Sequence, residues 1–311
     1  MNWAHKFAGA APVAAQLLFG AGCQHIGPSQ EQKTEVEVTE SLEGSITATQ
    51  YAWKDFVVEV DRLEHIEDIG VVEAKLRVRQ GEVERLSQPL AGATKVAVDL
   101  RDQADVTGDG EPDLVVEDFS MGAHCCFSYE VLSFSPDFTH AATLLGEHGE
   151  IEFANFDEDA SLEMKAADWV FAYWGTSFAE SLVFGMWFEL RDGQVTVLEA
   201  QMRAAPPSAE AWQAFKAEIN AAWDERRDLL QVLDSRVPKV LLEHTGRLIY
   251  SGNGADAMRL MRDAWRGEEG AGLAVREAFV EQLTGSMYWE GLAAMNGWTG
   301  LTSAEICGAE K

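Results

Sequence analysis

Basic residues are scarce in this chain: 24 Lys and Arg stand against 52 Asp and Glu over 311 residues, a formal net charge of -28. Such an excess argues against nucleic acid or an anionic membrane surface as a partner, because an acidic protein releases no counterions from either. Long apolar runs are missing too. The mostly apolar stretch Phe7–Phe19 is broken by Pro12 and Gln16 and is too short to span a bilayer. No P-loop, G-x-S-x-G elbow, H-E-x-x-H or basic patch occurs, so no reaction is named by a motif. Cysteine is limited to Cys23, Cys125, Cys126 and Cys307. What remains is 47% hydrophobic, enough to fold, in a chain long enough for two domains.

Residues 1–22 read as a targeting segment, with Lys6 as the sole Lys or Arg before the apolar stretch. It ends in Leu17-Leu18-Phe19-Gly20-Ala21-Gly22-Cys23, which resembles a bacterial lipoprotein signal, although Gly20 stands where such signals prefer Leu. The resemblance implies lipidation of Cys23 and a place in the bacterial cell envelope, as a periplasmic or outer-membrane lipoprotein. An ordinary secretory signal and a secreted protein are the alternative. With Cys23 acylated, three cysteines remain, so at least one thiol is free or paired between chains. Residues 23–49 are rich in Gln, Glu, Ser and Thr and read as a flexible tether, in which Val36 and Val38 alternate with acids as a short edge strand would.

From residue 50 to 203 the pattern has period two. Val72, Ala74, Leu76 and Val78 alternate with polar or charged residues, and strands are expected at Lys95–Leu100, Leu114–Val116, Phe127–Phe134 and Val183–Leu190. Asp192-Gly193 marks a hairpin between Phe184–Leu190 and Val195–Leu198. Beyond Ala204-Ala205-Pro206-Pro207 the period becomes helical. Ser208 is placed as an N-cap, and Trp212, Phe215, Ile219, Trp223, Leu230 and Leu233 mark one apolar face. Further helices are expected at Val240–Tyr250, Ala255–Trp265, Leu273–Leu283 and Met287–Met295, with no strand among them. The fold class expected is α+β: an antiparallel β domain over 50–203 and an all-helical domain over 204–311.

The densest chemistry lies in Asp105-Val106-Thr107-Gly108-Asp109-Gly110-Glu111-Pro112-Asp113. Asp105, Thr107, Asp109 and Asp113 offer side-chain oxygens at positions 1, 3, 5 and 9, Gly110 permits the bend, and Glu111 would lend its carbonyl at position 7. That spacing suits Ca2+. Fifty residues on, Asn155, Asp157, Asp159 and Glu163 repeat the oxygen positions with Ala160 in place of the glycine, and Asp118 aligns with Asp168. A unit of this length fits a four-stranded blade. Val116 at position 12 excludes the helix–loop–helix calcium site, which needs a bidentate Glu there. The first loop instead resembles the calcium loops of integrin α-subunit-type FG-GAP (VCBS-like) repeats, with Thr107 departing from their acid or amide. The loop and the following Met121-Gly122-Ala123-His124-Cys125-Cys126 also resemble a group of bacterial secreted proteins in which a D-x-x-G-D-G-x-P-D loop leads into a G-A-H-C-C strand. No activity attaches to that group, so the likeness implies architecture and location only.

Three other features favour structural readings. On a strand, His124 and Cys126 would face one side and Cys125 the other, too few ligands for zinc. The segment reads as a buried strand, or as an oxidised pair of Cys125 with Cys126 or Cys307. Gly252-Asn253-Gly254 resembles a dinucleotide fingerprint but reads as a helix end leading into the next helix. Trp169, Phe171 and Tyr173 are spaced as one strand face and read as core, with sugar stacking as the alternative. The expectation is therefore a Ca2+-stabilised, non-enzymatic envelope module that binds a protein or glycan and meets the membrane only through its lipid. The alternative is an extracytoplasmic metal-dependent hydrolase with its site between the β and helical parts, using loop acids or His124.

Overall fold

The computed structural model describes residues 33–38, 46–63, 74–156 and 159–308. The signal-like segment, Cys23 and Asp157 lie outside the described residues. Strands β1 (Lys33–Val38), β2 (Ile46–Trp53), β3 (Phe56–Leu63), β4 (Ala74–Gln80) and β5 (Val83–Leu90) form one antiparallel sheet in chain order. Residues 33–38 of the expected tether thus form an edge strand, as the alternation of Val36 and Val38 suggested. A second sheet follows from β6 (Ala93–Val98), β7 (Leu114–Phe119), β8 (Phe127–Ser133) and β9 (Thr139–Glu147). The third contains β10 (Glu152–Ala154), β11 (Glu163–Asp168), β12 (Phe184–Arg191) and β13 (Gln194–Val197). Each is a meander whose neighbours in sequence are neighbours in space. At the β12–β13 turn, Asp192 and Gly193 both have positive φ (51° and 72°), as the type I′ turn requires.

The middle sheet is covered on both faces, which its sequence explains. In β7 the apolar run Leu114-Val115-Val116 is fully buried. Leu114 and Val116 pack with Val58, Leu76, Val78 and Leu132 in one core, while Val115 faces a second core with Tyr129, Met164 and Phe188. A strand buried on both sides reads as a continuous apolar run rather than an alternation.

The second core continues into the helices: α1 (Glu199–Met202), α2 (Ala209–Glu225), α3 (Lys239–Tyr250), α4 (Gly254–Asp263), α5 (Glu269–Leu283), α6 (Trp289–Asn296) and α7 (Ser303–Cys307). Ser208 caps α2 by accepting from Ala211 N at 3.2 Å. Gly252, with φ of 74°, turns the chain from α3 into α4, as expected of a helix end.

One expectation fails here. Leu230 and Leu233 do not extend the face of α2, which ends at Glu225 with Arg226 left-handed. A two-stranded hairpin, β14 (Leu229–Val232) and β15 (Ser235–Pro238), intrudes among the helices. Its cause is tertiary: Gln231 N donates to Gly175 O at 3.0 Å, so a distant loop supplies the partner that a helix would have supplied locally. None of the described helices is long and apolar enough to cross a membrane.

Helix and sheet meet without slack at Gly246. A Cβ there would lie 2.0 Å from the ring of Phe184. That ring stacks on Tyr250 at 4.6 Å and meets Phe171 edge-on at 6.0 Å, so it has no room to retreat. Gly246→Ala is expected to destabilise the protein by roughly 1–3 kcal/mol through overpacking. The shift in denaturant midpoint at unchanged slope measures it.

Candidate functional site

The loop of residues 99–113 joins β6 to β7, and its carboxylates are turned onto backbone N–H groups. Asp105 Oδ1 accepts from Gly108 N (2.6 Å) and Asp109 N (3.2 Å), and its Oδ2 accepts from Gly110 N (2.7 Å). Gly108 and Gly110 have φ of 75° and 86°, the conformation that favours glycine at these positions. Asp109 Oδ1 accepts from Glu111 N at 2.8 Å, and Asp109 Oδ2 from Ser133 Oγ at 2.7 Å. Asp113 is fully buried and its Oδ2 accepts from Val106 N (2.8 Å) and Thr107 N (2.7 Å). Among the described residues, two buried oxygens in this turn, Asp113 Oδ1 and Thr107 Oγ1, have no hydrogen-bond partner of ordinary geometry.

The second loop repeats part of this wiring at the same offset. Ser161 N donates to Asp159 Oδ1 at 2.7 Å, as Glu111 N does to Asp109. Phe156 N donates to Glu163 at 2.5 Å, as Val106 N does to Asp113. Asn155 differs from Asp105: its amide donates to Asp159 O. Each loop leads from the first to the second strand of its meander.

The two loops also join each other. Leu162 N donates to Asp105 O at 2.6 Å, and Asp105 and Ser161 form an isolated parallel bridge. A cleft of about 330 Å³ lies beside the junction, lined by Thr107, Asp159, Ser161, Glu189, Arg191 and Asp192 among others. Arg191 is held by Glu189 at 2.7 Å. Ser133, Ser161 and the tip of the β12–β13 hairpin carry no local signal in the sequence, since only strand pairing brings them here. Glu111 directs its side chain to Lys54 at 3.2 Å, so of its groups only the carbonyl is left to serve a cation.

Burial dominates the electrostatics. Loss of solvent pushes the Asp113 carboxyl up to about 6, against the opposing pull of the Thr107 and Val106 N–H donors and of the nearby Thr107 hydroxyl, with the Asp109 charge adding to the rise. A cation would reverse that preference. Among the described residues, no three His, Cys, Asp or Glu side chains stand grouped to hold a metal ion. The two unpartnered oxygens of Asp113 and Thr107 are nevertheless of the hard-ligand type Ca2+ takes, so the donor set fits in chemistry.

His124 lies at the opposite end of the sheets. β7 leaves the cation-type loop at Leu114 and reaches Phe119, and the chain then turns through residues 120–126 into β8. His124 and the loop acids are therefore not brought together. The expected G-A-H-C-C strand is a connection instead, exposed at His124 and Cys126, and β8 begins only at Phe127. Cys125 pairs with Cys126, and Cys307 is a buried free thiol. The single aromatic strand face also fails: β11 ends at Asp168, Phe171 turns into the core, and Tyr173 is 52% exposed. Trp169 stacks parallel to Phe178 at 5.3 Å, with His124, His148 and Tyr173 around the same ring.

Asp168 closes this end. It is buried, accepts from Tyr250 Oη (2.6 Å), Ser286 Oγ (2.5 Å) and Val170 N (3.0 Å), and so ties β11 to the helices. Burial raises its carboxyl above the usual range. No protein-family model, curated protein or solved structure matches the chain.

Asp113 yields a pH test. Its folded value lies above the ordinary 3.8, so its stabilising contribution is present below that value and is lost as pH rises through about 6. The loss is at most about 3 kcal/mol. In chelator, wild type should weaken between pH 4 and pH 7, while Asp113→Asn should show a flatter profile. Denaturant midpoints across that range check it.

Proposed function

We propose that this is an exported bacterial envelope protein, anchored through lipid on Cys23, whose β region is a run of blade-like repeats stabilised by Ca2+. It acts as a non-catalytic binding or structural module for a protein or glycan partner. The observation that carries the cation reading is the pair of buried, unpartnered oxygens, Asp113 Oδ1 and Thr107 Oγ1, inside a turn with calcium spacing. The repeat reading is supported by the matching N–H to carboxylate bonds fifty residues apart and by four-stranded meanders that each hold a loop between their first and second strands. In this reading Asp105, Thr107, Asp109, Asp113 and the Glu111 carbonyl hold one cation. Asn155, Asp157, Asp159 and Glu163 hold a second, more weakly for want of the glycine. The ion's chemistry here is neutralisation: it lets Asp113 remain charged in a buried place. The two loops share a backbone bond, so ordering one orders the other.

Elemental analysis and thermal melts test this reading. Calcium at a hundredfold excess over Kd should stabilise the protein by roughly 2.7 kcal/mol, and chelator should remove the gain. Asp113→Asn should abolish the calcium-dependent shift while leaving the chelated protein folded. No bound metal and no shift would sink the cation reading. For the anchor, mass spectrometry of the mature N-terminus should find a lipid on Cys23; an unmodified Cys23 or a retained Met1 refutes it.

A further inference from the structure

The 120–126 connection is built around its two cysteines. A Cβ on Gly122 would lie 2.5 Å from Cys125 O, so the glycine allows the chain to close on itself there. Ser120 clamps the closure three times. Its Oγ donates to Cys125 O (2.6 Å) and accepts from Cys126 N (2.6 Å), and its N donates to Cys126 O (3.0 Å). His148 Nδ1 hydrogen-bonds His124 O, the carbonyl of the peptide leading into Cys125. A carbonyl only accepts, so Nδ1 is the donor in this bond. The peptide groups on either side of the sulfurs are thus held by bonds that do not depend on sulfur. Cys126 is exposed and Cys125 half-buried. Lys and Arg are absent from 102–164, so no fixed positive charge lies on this connection.

From this placement we infer that Cys125 and Cys126 form a thiol–disulfide exchange site, opened by a dithiol reductant and reclosed by an oxidised one. A thiolate of the dithiol attacks the exposed Cys126 sulfur, and the Cys125 sulfur leaves as thiolate and takes up a proton. The second thiol of the reductant then attacks its own mixed sulfur, releasing Cys126 as a thiol. Two electrons and two protons pass to the protein, and the reductant departs as a cyclic disulfide. The Ser120 and His148 bonds persist in the open state, so the two thiols stay neighbours and reclosure is intramolecular. Because the cation-type loops lie at the other end of the sheets, this inference stands apart from the calcium reading.

The test uses the full chain, folded, with dithiothreitol as reductant and iodoacetamide as the thiol label, read by peptide mass. Cys125 and Cys126 should be unlabelled before reduction and both labelled after it, with Cys307 protected and the circular dichroism unchanged. Oxidised glutathione should restore the blocked pair at a rate independent of protein concentration. Ser120→Ala should slow that reclosure on the order of tenfold, the effect of losing its side-chain bonds, while the fold is retained. Labelling before reduction, labelling only after denaturation, reclosure through intermolecular dimers, or an unchanged rate in Ser120→Ala would overturn the assignment.

Discussion

Buried carboxylates hold this protein together because backbone N–H groups come to meet them. With bases outnumbered about two to one by acids, cations cannot be the general partner of a buried acid. At Asp105, Asp113, Asp118, Glu163 and Asp168 the chain uses main-chain donors, while Glu130 takes the side chains of Gln88, His140 and Thr143. Asp113, just before β7, takes Val106 and Thr107 N; Asp118, within β7, takes Ala91 N (2.5 Å) and Gly92 N (3.0 Å). Glu163 opens β11 and takes Phe156 N; Asp168 closes it and takes Val170 N with two hydroxyls. Two strands in consecutive sheets are therefore pinned near both ends by the same device. Where a side-chain base does serve, as Lys95 for Glu117 at 2.9 Å, it sits half-exposed at the surface.

That device has an uneven result. At Asp118 both oxygens are used, while at Asp113 one is left buried and unpartnered. Burial raises both carboxyls, and the Asp113 loop adds further carboxylates around its acid, with Lys54 reaching the loop at Glu111. This imbalance makes the loop end of the sheets the place where a cation would lower the free energy. At the opposite end both oxygens of Asp168 are used, while Trp169 Nε1 and Tyr288 Oη are buried without a partner among the described residues, and the half-buried Cys125 and exposed Cys126 lie beside an aromatic cluster.

What was legible in the sequence was local. The Asp192-Gly193 turn, the Ser208 cap, the Gly252 helix end and the strand at Leu114–Val116 each follow from a few adjacent residues, whereas the burial of that strand on both faces became visible only in the packing. The β14–β15 hairpin was not legible, because Leu230 and Leu233 continue a helical spacing and only Gly175, more than fifty residues earlier, gives Gln231 its partner. The aromatic segment misled for the same reason. Alternation at 169, 171 and 173 looks like a strand, but β11 ends at Asp168 and no strand among the described residues pairs with the segment beyond it.

For the candidate site, the sequence by itself determined the oxygen spacing of both loops, since nine adjacent residues carry it in their order, with glycine at the bend in the first loop and Ala160 in the second. It also determined that the cysteines at 125 and 126 stand together. Tertiary structure decided everything that joins distant segments: Leu162 reaching Asp105, Ser133 reaching Asp109, His148 reaching the carbonyl of His124, and the separation of the loops from the cysteine pair by the length of a sheet. Those contacts follow from strand register, and register is set by two cores closing at once rather than by any residue's immediate neighbours.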